Sequence, residues 1–135
     1  MMSMLKKPYL VEFPRIGDRN IGFLSVAEKE KIPFPVKRIY WTYSIKKDLK
    51  RGAHAHRELE QILLAVAGRL VVHTELLTGE KNEFILESPD KGLFIPKMCW
   101  REIQFTKNAV LIGIASQEYS EDDYVRNYNE FKMHR

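Results

Sequence analysis

At 135 residues, with 44% hydrophobic and 30% charged side chains, the chain has the size and make-up of one soluble domain, and neither a second domain nor wholesale disorder is expected. Its longest apolar run, residues 62–67, falls far below the roughly 18 residues of a membrane helix, and Met-Met-Ser-Met-Leu-Lys-Lys-Pro has no signal-peptide core, so a cytoplasmic protein without a membrane partner is expected. The 22 Lys and Arg against 18 Asp and Glu favour anionic partners, but no block of five like charges points to nucleic acid.

Residues 9–13 form a first apolar and aromatic run, punctuated by Pro14 and Gly17-Asp18. Residues 21–26 form a second, and residues 36–45 a third, dense in β-branched and aromatic side chains. Residues 61–67 end at Gly68, and residues 70–77 lead through a hairpin turn at Thr78-Gly79-Glu80 into residues 82–86. A turn at Ser88-Pro89-Asp90-Lys91-Gly92 precedes residues 93–95, 100–105 and 109–115. Short strands at this spacing predict an all-β sandwich or barrel. Only residues 120–132 read as a helix, with Ser120 as its cap and Glu121, Asp122 and Asp123 where the helix dipole favours them. Trp41 and Trp100 read as core residues, with Trp100 also placed to border a pocket beside Arg101.

Cys99 is the only cysteine, so internal disulfides and cysteine-built zinc sites are excluded, and the thiol reads as a small buried hydrophobe. The sharpest local signal is Arg51-Gly52-Ala53-His54-Ala55-His56. On an extended strand His54 and His56 project to one face, as a metal site or as groups that move protons near neutral pH. With Glu60 they give His-x-His-x3-Glu, the first motif of the cupin superfamily. In Pro96-Lys97-Met98-Cys99-Trp100-Arg101 a guanidinium takes the place where metal-binding members have a fourth ligand. A guanidinium donates hydrogen bonds and repels a divalent cation. No metal or other cofactor is therefore expected. Proton transfer next to a carbonyl, with Arg51 beside an anion, remains. On the run Lys37-Arg38-Ile39-Tyr40, Arg38 and Tyr40 share a strand face and suit a phosphate and a sugar or base. His73 and His134 read as structural or exposed.

Taken together these residues resemble the dTDP-sugar 3,4-ketoisomerases, a metal-free branch of the cupin superfamily. The resemblance extends from about residue 22 to 132. It rests on Ile32-Pro33-Phe34, Val36-Lys37-Arg38-Ile39-Tyr40, the His54/His56 motif with Leu59-Glu60-Gln61, and Ser88-Pro89 with Gly92-Leu93. It continues through Trp100-Arg101-Glu102, Ala115-Ser116-Gln117-Glu118-Tyr119 and Asp123-Tyr124-Val125-Arg126-Asn127-Tyr128. It implies a double-stranded β-helix (jelly roll) with a short C-terminal helix, as a single domain over 1–135, and a homodimer with exchanged N-terminal strands. The implied substrate is dTDP-4-keto-6-deoxy-D-glucose and the product carries its ketone at C3, for deoxyamino-sugar synthesis. His54 and His56 take the catalytic places, and Arg38, Tyr40, Arg51, Gln61, Trp100 and Arg101 line the substrate.

Two departures stand out. Many relatives have His where this chain has Arg101, and Arg where it has Ile21 before Gly22. With Arg101 as a fixed cation, protonation falls to the His54/His56 wall, and dTDP-3-keto-6-deoxy-D-glucose is the expected product. The competing readings are a dTDP-sugar epimerase of the same fold and a non-catalytic cupin that binds a sugar nucleotide. The second has no need for paired histidines.

Overall fold

In the computed structural model, which describes residues 6–47 and 49–135, two five-stranded antiparallel sheets face each other across a continuous apolar core. The strands are β1 (Tyr9–Glu12), β2 (Arg15–Asp18), β3 (Gly22–Ser25), β4 (Arg38–Thr42), β5 (Lys50–His56), β6 (Gln61–Ala67), β7 (Leu70–Leu76), β8 (Lys81–Leu86), β9 (Lys91–Ile95), β10 (Cys99–Phe105), β11 (Val110–Ala115) and β12 (Tyr124–Val125). One sheet runs β1-β9-β6-β11-β4 and the other β12-β5-β10-β7-β8. This order, with long crossings between sheets, is the all-β sandwich expected from the strand spacing, in the jelly-roll form that the family resemblance implied.

Alternation sorts the two faces. Leu63, Val72, Leu93, Cys99, Ile103 and Leu111 interdigitate between the sheets. The outer face of the first sheet carries Ile62, Leu64, Phe94 and Ile114, covered in part by Ala27, Ile32 and Phe34. The hairpin β2–β3 pairs with neither large sheet and leaves Ile16, Phe23 and Leu24 exposed.

Three sequence expectations change. Gly17-Asp18, read as punctuation, falls within β2, because Gly17 supplies the φ of +127° that the strand needs opposite Phe23. The helix expected over residues 120–132 is instead a 3-10 turn (Glu121–Asp123), the bridge β12 and a short helix α1 (Tyr128–Lys132). Ser120 makes no capping bond; Asn127 caps α1 by accepting from the Glu130 N–H. The acidic run is used for contacts to β5 and its loop, which override local helix propensity. Trp41, expected in the core, is 62% exposed on the outer face of edge strand β4. Cys99 is fully buried, and burial lifts its thiol to about 11.

Candidate active site

A cavity of about 310 Å³ opens between β4 and β11 of one sheet and β5, β10 and β12 of the other. Its walls follow from strand alternation on β4, which turns Arg38, Tyr40 and Thr42 inward and Ile39 and Trp41 outward. Tyr40 lies directly over Gly113, its register partner on β11; any Cβ there would fall inside the tyrosine ring. The Tyr40 hydroxyl donates to Gln61 Oε1 at 2.7 Å. Burial raises the Tyr40 pKa, so the phenol stays protonated.

On the opposite wall, β5 carries an irregularity. Arg101 pairs with His54 and Ile103 with Arg51, so three steps on β5 face two on β10. The extra residue is taken up at Gly52 (φ +101°) and Ala53 (φ +23°). Strict alternation would send Arg51 to the face opposite His54. The bulge brings Arg51, His54 and His56 to one wall.

The two imidazoles stand edge to face with ring centroids 4.8 Å apart. Tyr124, opposite His56 in the β5–β12 register, packs 4.4 Å from His56 and 5.0 Å from His54. Burial, then the Arg101 guanidinium, push His54 down to about 3 and His56 to about 2. The His56 Nδ1 lies 3.0 Å from Asp123 Oδ2. At neutral pH both rings are uncharged.

Arg101 lies on the same face, fully buried. Its Nε donates to the Cys99 carbonyl at 3.1 Å, while neither Nη has a partner among the described residues. Arg38 also leaves a buried Nε unpaired, and its guanidinium lies 5.3 Å from the Tyr40 ring and 5.8 Å from that of Tyr119. Donors of this kind are retained where an anion will meet them.

The structure thus brings Arg38, Tyr40, Arg51, His54 and His56 onto the cavity, with Arg101 and Gln61 buried behind them. Trp100 is placed elsewhere. One step along β10 from Arg101, it faces the other side of the sheet and packs on Ala55, Val125 and Phe131 beneath α1. Glu60, third in His-x-His-x3-Glu, is held by Lys6 at 2.9 Å. Among the described residues no three His, Cys, Asp or Glu side chains gather around a common point. Tyr124 and Asp123 reach the site without having been singled out from sequence, although both lie in the motif Asp123-Tyr124-Val125-Arg126. His73 and His134 are exposed.

The family described as WxcM-like, C-terminal (FdtA) matches residues 6–135. The chain belongs to the sugar 3,4-ketoisomerase family. It is 33% identical over 129 residues to TDP-4-oxo-6-deoxy-alpha-D-glucose-3,4-oxoisomerase of Aneurinibacillus thermoaerophilus, covering 93% of this chain and 90% of that protein. A 3,4-ketoisomerase from Helicobacter canadensis superposes with a TM-score of 0.87 at 39% identity, over 94% of this chain and 96% of the other. The QdtA sugar 3,4-ketoisomerase from Thermoanaerobacterium thermosaccharolyticum, solved in complex with TDP, gives 0.89 at 35% identity, over 97% and 96%. This ketoisomerase is therefore an enzyme acting on dTDP-sugars, in the jelly-roll fold of its relatives. Among its described residues no helix is long and apolar enough to cross a membrane.

Proposed function

We propose that the chain converts dTDP-4-keto-6-deoxy-D-glucose into dTDP-3-keto-6-deoxy-D-glucose by proton transfer at His54 and His56, with no metal. The observation that carries this reading is a pair of neutral imidazoles lining one cavity, with the buried, unpaired Arg101 guanidinium behind them. An uncharged imidazole can take the C3 proton at neutral pH. The electron pair moves onto the C4 carbonyl oxygen, and Arg101 holds the resulting enediolate charge in a dry site. Tyr40, oriented by Gln61, serves the sugar oxygens. The O3 proton is passed to O4, the carbonyl re-forms at C3, and a proton returned to C4 completes an isomerisation with no net gain or loss of atoms.

Arg38 and Arg51 supply the cations for the diphosphate, since a guanidinium binds phosphate oxygens in pairs. The volume suits a hexose, with the nucleotide lying outward. With Arg101 fixed as a cation, both carbon protons pass over the His54/His56 wall, and the gluco arrangement at C4 is retained. Trp100 contributes only by supporting β5 and β12 from behind.

The chain acts as one domain in the cytoplasm, as a homodimer with exchanged N-terminal strands that supplies deoxyamino-sugar synthesis. Support for the dimer comes from apolar side chains left in solvent on the β2–β3 hairpin (Ile16, Phe23, Leu24), at Ile21, and at Ile39 and Trp41 of β4.

Incubation with dTDP-4-keto-6-deoxyglucose in D2O, followed by NMR, tests the reaction. Exchange with a moved carbonyl and a gluco C4 is expected. Exchange at C3 and C5 with inversion indicates an epimerase, no reaction a binding protein, and a galacto product removes Arg101 from control of the face.

A further inference from the structure

The two histidines differ in what stands behind them. His54 is partly exposed to the cavity, and the Gly52 carbonyl supports its charged form. His56 is 2% exposed and is backed by the carboxylate of Asp123. Asp123 is itself held on three sides. Its Oδ1 accepts the Glu58 N–H at 2.7 Å, its Oδ2 accepts the Leu59 N–H at 3.3 Å, and its carbonyl accepts the Arg57 N–H at 2.8 Å. The carboxylate is thus fixed to the turn that follows β5, and the remaining approach to Oδ2 is filled by His56 Nδ1 at 3.0 Å.

An imidazole facing a carboxylate oxygen through Nδ1 must donate there, because the oxygen has lone pairs to fill and a backbone donor on each oxygen already fixes the carboxylate. A neutral ring carries a single N–H. Spending that proton on Asp123 leaves Nε2 as a bare lone pair. Rotation to the other tautomer would set two lone pairs against each other inside a buried site.

We propose that Asp123 is a positioning residue for the isomerisation, holding His56 in its Nδ1–H tautomer so that Nε2 is the basic atom of that ring. This rests on the reading that His56 takes part in proton transfer. When Nε2 accepts a proton, the imidazolium forms 3.0 Å from a carboxylate, which offsets the nearby Arg101 charge. Asp123 therefore also keeps the protonated ring within reach during turnover.

The test combines histidine 15N NMR with kinetics. In the wild-type protein the His56 ring should show a protonated Nδ1 and an unprotonated Nε2; the reverse assignment overturns the proposal, and this measurement needs no variant. Asp123→Asn keeps an oxygen for the Glu58 N–H but presents an NH2 group to Nδ1, giving up only the 3.3 Å bond from the Leu59 N–H. It should convert His56 to the Nε2–H tautomer and lower kcat by about 10²- to 10⁴-fold, with KM within threefold. Asp123→Glu, which restores a carboxylate, should recover part of that loss. An unchanged kcat in Asp123→Asn, or a raised KM alone, reduces Asp123 to a clasp for the turn and overturns the proposal. Full turnover in His56→Asn would instead remove the proton-transfer reading while leaving the tautomer result intact.

Discussion

Arg101→Met should make the protein more stable and less active. In the resting structure the guanidinium is fully buried, and among the described residues its only bond is from Nε to the Cys99 carbonyl. Burying an ion costs several kcal/mol after relaxation, and a partner carboxylate normally offsets it; here neither Nη finds one. An unbranched thioether fills much of the same space without that cost. Losing the Nε bond leaves the Cys99 carbonyl unpaired, a loss of about 1 kcal/mol. The balance favours the variant by roughly 1–3 kcal/mol, or about 3–10 °C in Tm for a chain of this size. Catalysis should move the other way. Removing a donor from a developing oxyanion costs about 10²–10³ in kcat. The variant also lifts the pKa of both histidines, since the guanidinium helps to hold them down. Thermal denaturation and an NMR turnover assay on the same preparation decide the matter. A Tm that falls by several degrees would show that the cation is paired in the folded protein. An unchanged kcat would show that it meets no charge during the reaction.

Three further outcomes are expected. His54 and His56 are held down to about 3 and about 2, so below pH 6.5 the unfolded chain binds protons that the folded chain does not. Stability should be full above pH 6.5 and fall below it by at most about 1.4 kcal/mol per pH unit per histidine, a slope that denaturant titration should find flatter in His54→Asn. His54→Asn and His56→Asn should each lose about 10²-fold or more in turnover, and EDTA should not change the wild-type rate; activity restored by one divalent metal after chelation would refute the metal-free reading. Arg38→Ala and Arg51→Ala should each weaken dTDP binding by about 1.5–3 kcal/mol in calorimetry, and unchanged affinity in both would place the diphosphate elsewhere.

The fold was legible because its signals are local. β-branched runs and Gly turns mark most strands to within a residue or two, and Thr78-Gly79-Glu80 does connect β7 to β8. His54, His56, Arg38 and Tyr40 share a cavity because a period of two carried each pair inward. Arg51 is different: alternation from His54 puts it outside, and only the bulge at Gly52–Ala53 returns it. Trp100 is the core residue it reads as, but it does not border the pocket, since adjacency to Arg101 on a regular strand means opposite faces. Asp123 reaches His56 from 67 positions away, and an acidic run before an apolar stretch reads locally as a helix start. Which carboxylate meets which imidazole is decided by tertiary packing, which local propensity does not encode.

One wall of the cavity hangs on two residues. In β12, Tyr124 faces the histidines while its neighbour Val125 is pressed against Ala55, Trp100 and Phe131 on the far side of the sheet. The helix α1 that covers this patch is tied down by the Tyr128 hydroxyl, 2.7 Å from Glu75 Oε1, and by Arg135 to the same carboxylate. So short an edge strand has little pairing of its own, and its opening free energy lies well below that of the other nine strands of the two large sheets. Heat or mild denaturant would release this segment as a sub-global unit while the sandwich stays closed. Asp123 and Tyr124 would leave with it, so that inactivation runs ahead of unfolding and recovers on cooling without refolding of the core.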